Sequence, residues 1–342
     1  MTRPTQSTLY LDRNENLYGP APKCLEVLRS ITINELSLYS RDYARGVKSQ
    51  LSERLAADMR IPESQVLLSE GSEDMLKQAV HCYLASGEKI LCPEQSWWYY
   101  RAVAPEVGGV TITYRMKQEG NRFSYDVGGI IESYPKESPR VVLIASPNNP
   151  TGNSFPETDL DRLMVAIRDC VVILDEAYWG FAEHSADGVS ELIARHPNLL
   201  ILRTFSKFYA LAGARIAYAA AGTGLSRLKR FASRYLGYNR VSEQLALAAL
   251  DSPDYYRTIH RQMCADRNRY YELFDGWKGV TCFQSDANFV LVSFPRGTKE
   301  AVRLYLLQKG IAVKSFPEPE FEDCLRLTLG SSEHSKAVIT AM

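Results

Sequence analysis

Short apolar runs of strand length recur through the middle of this chain, and they constrain its fold more than any other feature. They are "KILCP" (89–93), "VTITY" (110–114), "VVLIASP" (141–147), "VVILDEAY" (171–178), "LLILRTFSK" (199–207) and "RIAYAAAG" (215–222). Several are apolar throughout, as strands buried on both faces are. Stretches with helix-like apolar spacing lie between them, at 74–84 and 157–168. Strand and helix in alternation predict an α/β fold, a mainly parallel sheet with helices on both sides. In such sheets binding residues gather where strands end and loops begin.

Beyond residue 235 the rhythm changes. Helical spacing is read near 242–250 and over 255–274, 299–309 and 332–341. The runs "ANFVLVSF" (287–294), "IAVKS" (311–315) and "CLRLTLG" (324–330) read as strands, with a proline-rich acidic loop, "FPEPEFED" (316–323), among them. A chain of 342 residues is long for one compact core. The expectation is a large domain over 45–235 and a smaller α+β domain built from 1–44 and 236–342.

Charge and cysteine usage narrow the function. Lys plus Arg and Asp plus Glu each number 40, and no basic arm or polybasic patch stands out. That argues against a partner held by phosphate contacts, nucleic acid or membrane surface alike. No apolar run approaches a membrane span or the core of a signal peptide. Seven cysteines, odd in number and scattered, include no Cys-x-x-Cys pair, so neither zinc nor a redox motif is indicated, and a reducing cytoplasm is the simplest setting.

Four stretches at predicted strand ends carry chemistry. "RTFSKFYALAGAR" (203–215) holds Lys207 behind Thr204 and Ser206, with Arg215 beyond. Taken alone, a Ser-Lys pair after a strand is an ordinary solvated loop. "SPNNPTG" (146–152) reads as a turn, and Asn149 in it is a neutral donor fixed at a strand end. "LDEAY" (174–178) ends an apolar strand in Asp175, a carboxylate that is costly to bury without a cation. "SEGSED" (69–74) is a Gly-Ser turn feeding a helix, whose first backbone N–H groups bind phosphate well.

Together and in this order these stretches resemble the aspartate-aminotransferase-like, fold type I family of pyridoxal-phosphate enzymes, nearest to its histidinol-phosphate aminotransferase branch. The resemblance runs from "DRNENLYG" to "CLRLTLG". It implies a mainly parallel sheet of the seven-stranded type plus a smaller α+β domain. It also implies an aminotransferase of amino-acid metabolism, with pyridoxamine phosphate as an intermediate. By the same resemblance Lys207 forms the Schiff base and moves the proton, and Asp175 pairs with the pyridine nitrogen. Asn149 and Tyr178 bind the phenolic oxygen. Thr204, Ser206, Arg215 and the helix start at Ser72 and Glu73 bind the phosphate. Trp97, or its neighbour Trp98, stacks on the ring, with Tyr100 on the same side. Tyr43, or Tyr39, reaches the partner subunit's cofactor, which implies a homodimer with shared active sites.

On the substrate side the resemblance implies roles for Arg326, Lys314, Asn16 and Tyr18, and there the chain departs from the pattern. Lys314 stands where the branch has a second arginine, and lysine lacks the planar fork of guanidinium. Leu17 replaces the proline after "NEN". The branch's Pro-Tyr motif has no counterpart ahead of "LYLDRNENLYG". Glu318, Glu320, Glu322 and Asp323 crowd the loop after Lys314, and carboxylates near such a pocket oppose a dianion. The expectation is retained cofactor chemistry with a changed substrate, an amino acid or amino-acid-like amine such as histidinol phosphate donating to a 2-oxo acid. Decarboxylation of the phosphothreonine type, or oxidation or cyclisation of an arginine-like amino acid, is the alternative. A non-enzymatic effector-binding module is opposed by the intact set of Lys207, Asp175 and Arg215.

Overall fold

The computed structural model describes residues 8–182 and 188–342. Its larger sheet has seven strands in the order Val66–Ser69, Ala217–Ala221, Leu199–Thr204, Val171–Asp175, Val141–Ala145, Lys89–Pro93, Val110–Tyr114. The last five run parallel, and Ala217–Ala221 is antiparallel to both its neighbours. Six of the seven were legible as apolar runs. The seventh, "VLLS", is only four residues long, too short to show a period.

Burial explains the runs. Successive side chains of a strand face opposite sides of the sheet. Val142, Ile144, Leu174 and Ile201 join one apolar cluster, while Val141, Leu143, Ile173 and Leu200 join another. Helix Ser72–Tyr83 covers the second face with Met75, Leu76 and Ala79. Helices Gln50–Met59 and Glu157–Ala166 cover the first with Leu51, Leu55 and Leu163. Truncating one such buried aliphatic side chain to Ala costs about 2–5 kcal/mol.

The second sheet has five strands in the order Leu9–Leu11, Ile311–Ser315, Cys324–Thr328, Phe289–Ser293, Thr281–Cys282. Leu9–Leu11 pairs parallel with Ile311–Ser315, and the other pairings are antiparallel. Leu11, Tyr270, Val290, Leu325 and Leu327 form its core with helix Pro253–Phe274, which runs unbroken for 22 residues. The acidic loop carries one short 3-10 turn, Pro319–Phe321.

Helices Pro22–Ser30 and Arg240–Leu250 bury Cys24, Leu245 and Ala246 in a cluster shared with the larger sheet. A hairpin, Met116–Glu119 with Arg122–Tyr125, escaped the sequence reading because its outward residues are polar. Among the described residues no helix is long and apolar enough to cross a membrane, and no cluster of metal-ligand type exists.

Candidate active site

Parallel strands deliver their ends to one edge of the larger sheet, and a cavity of about 730 Å³ opens there. Ser72 and Glu73 follow Val66–Ser69, Trp97 follows Lys89–Pro93, and Asn149 follows Val141–Ala145. Asp175 and Tyr178 lie at the end of the next strand, and Thr204, Ser206 and Lys207 at the end of Leu199–Thr204. Arg215 completes that side. Lys314 and Arg326 enter from the smaller sheet, where they stand opposite each other on adjacent strands.

Lys207 is the one amine at the centre of this set. Its Nζ donates to the Arg13 carbonyl at 2.8 Å and lies 5.8 Å from the centre of the Tyr178 ring. Burial, then the charges of Arg326 and Arg215, push its ammonium down to about 8, against an opposing pull from Glu15. A lysine near neutrality is both nucleophile and proton carrier.

Asp175 is buried, and its two oxygens are held differently. Oδ2 accepts from the Tyr100 hydroxyl at 2.8 Å, and Oδ1 from the Ala177 N–H at 2.9 Å. Burial pushes its carboxyl up to about 6 despite these two donors. A cation placed beside it would restore the carboxylate.

The opposite end of the cavity is shaped for an anion. Helix Ser72–Tyr83 starts after Gly71, at φ 96°, with no side chain capping its first turn. A Cβ at Gly71 would overlap the Arg215 guanidinium, so glycine is what lets that group lie against the helix start. Arg215 itself holds a left-handed φ of 51°, a conformation costly for a non-glycine residue. Thr204 Oγ1 accepts from the Ser206 N–H at 3.1 Å and lies 3.0 Å from the Ser206 hydroxyl.

Between these ends, Asn149 Oδ1 accepts from Arg326 Nη1, which leaves the Asn149 amide nitrogen as its donor. Arg326 is 5% exposed, and its Nη2 donates to the Asp12 carbonyl at 2.6 Å. The turn carrying Asn149 is fastened by the fully buried Asn148, which accepts from Ser96 and donates to the Gln95 carbonyl and to Thr151. Trp97 and Trp98 both line the cavity. Trp97 packs edge-on against Tyr100 at 5.5 Å, while Trp98 is 59% exposed.

Two expected residues lie elsewhere. Asn16 and Tyr18 do not line the cavity; residues 12–15 do. Asn14 has a left-handed φ of 55°, which reorients the extended segment there. Its Nδ2 donates to the Tyr178 hydroxyl at 2.8 Å, so this asparagine is the one that reaches the site. Asn16 Nδ2 instead donates to the carbonyl of Phe208, next to Lys207. The Tyr18 hydroxyl is taken up by Asp266 and Ser332. Tyr43 is 41% exposed, bonded to Ser233 and packed on Tyr235, outside the cavity of its own chain. Asn14, Asp12 and Ser96 were missed; the only sequence signal for the first two was their place in "LDRNEN".

A family profile described as aminotransferase class I and II matches residues 7–342. The chain belongs to that family. This class I and II aminotransferase is 30% identical over 332 residues to a histidinol-phosphate aminotransferase of Ruminiclostridium cellulolyticum, covering 96% of this chain and 90% of that one. It is 30% identical over 335 residues to the histidinol-phosphate aminotransferase of Bacillus subtilis, with 97% and 90% covered. Among solved structures, the histidinol-phosphate aminotransferase of Sinorhizobium meliloti in complex with pyridoxal-5'-phosphate superposes with a TM-score of 0.86 at 24% identity, covering 98% of this chain and 90% of that one. The L-threonine-O-3-phosphate decarboxylase of Porphyromonas gingivalis shares the fold, with a TM-score of 0.80 at 17% identity over 97% and 98% of the two chains.

The enzyme is therefore a pyridoxal-phosphate-dependent aminotransferase of fold type I. Its residues fit the cofactor. The Gly71–Arg215 cradle at an uncapped helix start suits a phosphate, and the buried Asp175 carboxylate suits a protonated ring nitrogen.

Proposed function

We propose that this aminotransferase moves an amino group between an amino acid, or an amino-acid-like amine, and a 2-oxo acid, with Lys207 as the residue that handles the proton. The observation that carries the reading is the placement of a near-neutral lysine in one cavity with the buried Asp175 and the Arg215 cradle. Pyridoxal phosphate, when bound, supplies the carbonyl that takes up the amine and a ring that accepts the electron pair released at the α-carbon. Asp175 holds the proton on the ring nitrogen, and Tyr100 and the Ala177 N–H keep that carboxylate oriented. Tyr178 Oη and Asn149 Nδ2 would donate to the phenolic oxygen. Ser72, Glu73, Thr204, Ser206 and Arg215 would hold the phosphate, Glu73 through its backbone N–H. Trp97 would cover the ring. Lys207 Nζ would take the proton from the substrate α-carbon and deliver it within the site. Arg326, with Lys314 beside it, binds the acidic group of the substrate. Relatives named for histidinol phosphate make that amine a candidate donor.

The assembly we propose is a homodimer in the cytoplasm. Leu25, Ile33, Leu36 and Tyr39, with Tyr235 and Leu236, are large apolar side chains left exposed, and clustered exposed apolar groups mark interaction sites. Tyr43 lies in the same region and is assigned to the partner's cavity. The two separate sheets support reading the chain as a large domain over 45–235 with a small one from 1–44 and 236–342.

One half-reaction tests the activity. Holoenzyme is mixed, without oxygen or acceptor, with histidinol phosphate and single amino acids, and pyridoxamine phosphate and the oxo product are quantified. Stoichiometric formation with one donor is expected, and none with Lys207→Ala. Carbon dioxide release without pyridoxamine phosphate would overturn the reading.

A further inference from the structure

Three consecutive backbone carbonyls beside the anion cradle are each taken by a side-chain hydroxyl. Ser242 Oγ donates to the Ala214 carbonyl at 2.7 Å, Tyr238 Oη to that of Arg215 at 3.2 Å, and Thr204 Oγ1 to that of Ile216 at 3.0 Å. Thr204 lines the cavity, whereas Tyr238 and Ser242 do not. Ser242 borders a separate cleft, together with Arg215.

The backbone explains why so many hydroxyls are needed there. Arg215 sits at a φ of 51°, and its own N–H makes only a long bond, 3.4 Å, to the Ala212 carbonyl. A non-glycine residue keeps such a conformation only where its surroundings hold it. Once the carbonyl is released, φ can relax, and the guanidinium that follows it leaves Gly71 and the helix start.

Tyr238 also joins the two halves of the cradle. Its hydroxyl donates to the carbonyl of Ser69 as well, two residues before Gly71. Ser69 and Ala217 form the last rung of the ladder between their strands, so this hydroxyl continues the connection where the ladder stops. Its single proton is shared between the two carbonyls. Burial, then the charge of Glu70, hold the hydroxyl above its ordinary range, so it remains a donor. Between Tyr238 and Ser242, Asn239 accepts from the Ser242 N–H and caps helix Arg240–Leu250. Both hydroxyls are thereby fixed to one helix start.

We propose that Tyr238, assisted by Ser242, is a positioning residue for the cofactor phosphate, holding Arg215 in the left-handed conformation that aims its guanidinium at the start of helix Ser72–Tyr83. Tyr238 acts without touching the cofactor. The proposal rests on the reading that Arg215 holds the phosphate.

Two ligands separate this role from a merely structural one. Cofactor-free protein is dialysed to equilibrium against pyridoxal phosphate and against pyridoxal, which lacks the phosphate but offers Lys207 the same carbonyl. Tyr238→Phe removes only the hydroxyl. It is expected to weaken pyridoxal phosphate about tenfold while pyridoxal changes less than about twofold, and Ser242→Ala to act in the same sense by about threefold. In an Arg215→Gln background, Tyr238→Phe is expected to add less than about twofold, because its effect passes through that arginine. Circular dichroism checks that each variant is folded. Equal losses for both ligands, an unchanged affinity for pyridoxal phosphate, or a full loss that persists in the Arg215→Gln background would each overturn the proposal. An Arg215→Gln variant that still bound pyridoxal phosphate normally would instead fault the phosphate reading, and this proposal with it. A strong effect of Arg215→Gln with none of Tyr238→Phe would fault the proposal alone.

Discussion

Tyr100 donates its hydroxyl to Asp175 across 2.8 Å, joining the short helix Tyr99–Ala102 after one strand of the sheet to the end of another. The hydroxyl is itself held protonated, far above its ordinary range, by burial and by the Asp175 charge. Donation from Tyr100 lowers the Asp175 carboxyl. Tyr100→Phe is expected to raise it, to cut kcat about tenfold with KM nearly unchanged, and to move the acid limb of the kcat profile to higher pH. Steady-state assays across pH decide this; an unmoved limb would mean that Tyr100 only fills space.

The same carboxylate makes the cofactor-free protein sensitive to pH. Its folded value, about 6, lies above the ordinary 3.8, so the folded state binds more protons between the two. Stability is then greatest below the lower value and falls as pH rises through the upper one. Asp175→Asn removes that cost. Cofactor-free Asp175→Asn is expected to match the parent near pH 4 and to exceed it by roughly 2–3 kcal/mol above pH 7, while being inactive when loaded. Urea unfolding at the two pH values measures it.

Lys207 gives the opposite slope in a rate. Covalent capture of pyridoxal phosphate needs its neutral amine, so capture by cofactor-free protein should accelerate as pH rises through about 8. Arg326 is the larger of the two charges holding the amine down. Arg326→Gln is therefore expected to shift the midpoint upward, which borohydride trapping and mass spectrometry of the Lys207 peptide would detect.

At Gly71 a single methyl group is informative. Gly71→Ala must displace the Arg215 guanidinium and strain a φ of 96°. The expected result is a loss of about tenfold in pyridoxal-phosphate affinity and about 1–2 kcal/mol in stability, with the KM for donor unchanged. Equilibrium dialysis at matched folding reports the first, and unchanged affinity would remove Arg215 from the phosphate site.

The exposed apolar face predicts a partner. Ile33→Asp combined with Leu36→Asp should halve the molar mass seen by light scattering and expose the shared cavity. A wild type that is already monomeric would end the homodimer reading and, with it, the assignment of Tyr43.

The sequence made the larger sheet readable because strands buried on both faces must be apolar throughout, as "VVLIA" and "LLILRT" are. What it concealed depended on short or polar segments. "VLLS" is too brief to show a period, and "MKQE" reads as loop although it pairs in a hairpin. In the site, Lys207 and Asp175 stood out because they stand at strand ends, and Arg215 because it closes the stretch "RTFSKFYALAGAR". Asn14 did not, because its approach to Tyr178 depends on a left-handed backbone that "DRNEN" does not announce. Glu318 was visible as charge but not as a lining residue, since only the folded loop brings it to the cavity wall.

The pairing of Leu9–Leu11 with Ile311–Ser315 bears on how the protein is made. Asn14 bonds to Thr328 across 314 positions of chain, and the Lys207 amine donates to the carbonyl of the residue just before Asn14. During synthesis residues 9–14 leave the ribosome long before their partners exist. The larger sheet, complete by residue 221, is free to form first. The Arg13 carbonyl that the lysine meets is therefore held in place only once residues 311–328 have been made, after the whole of the larger sheet.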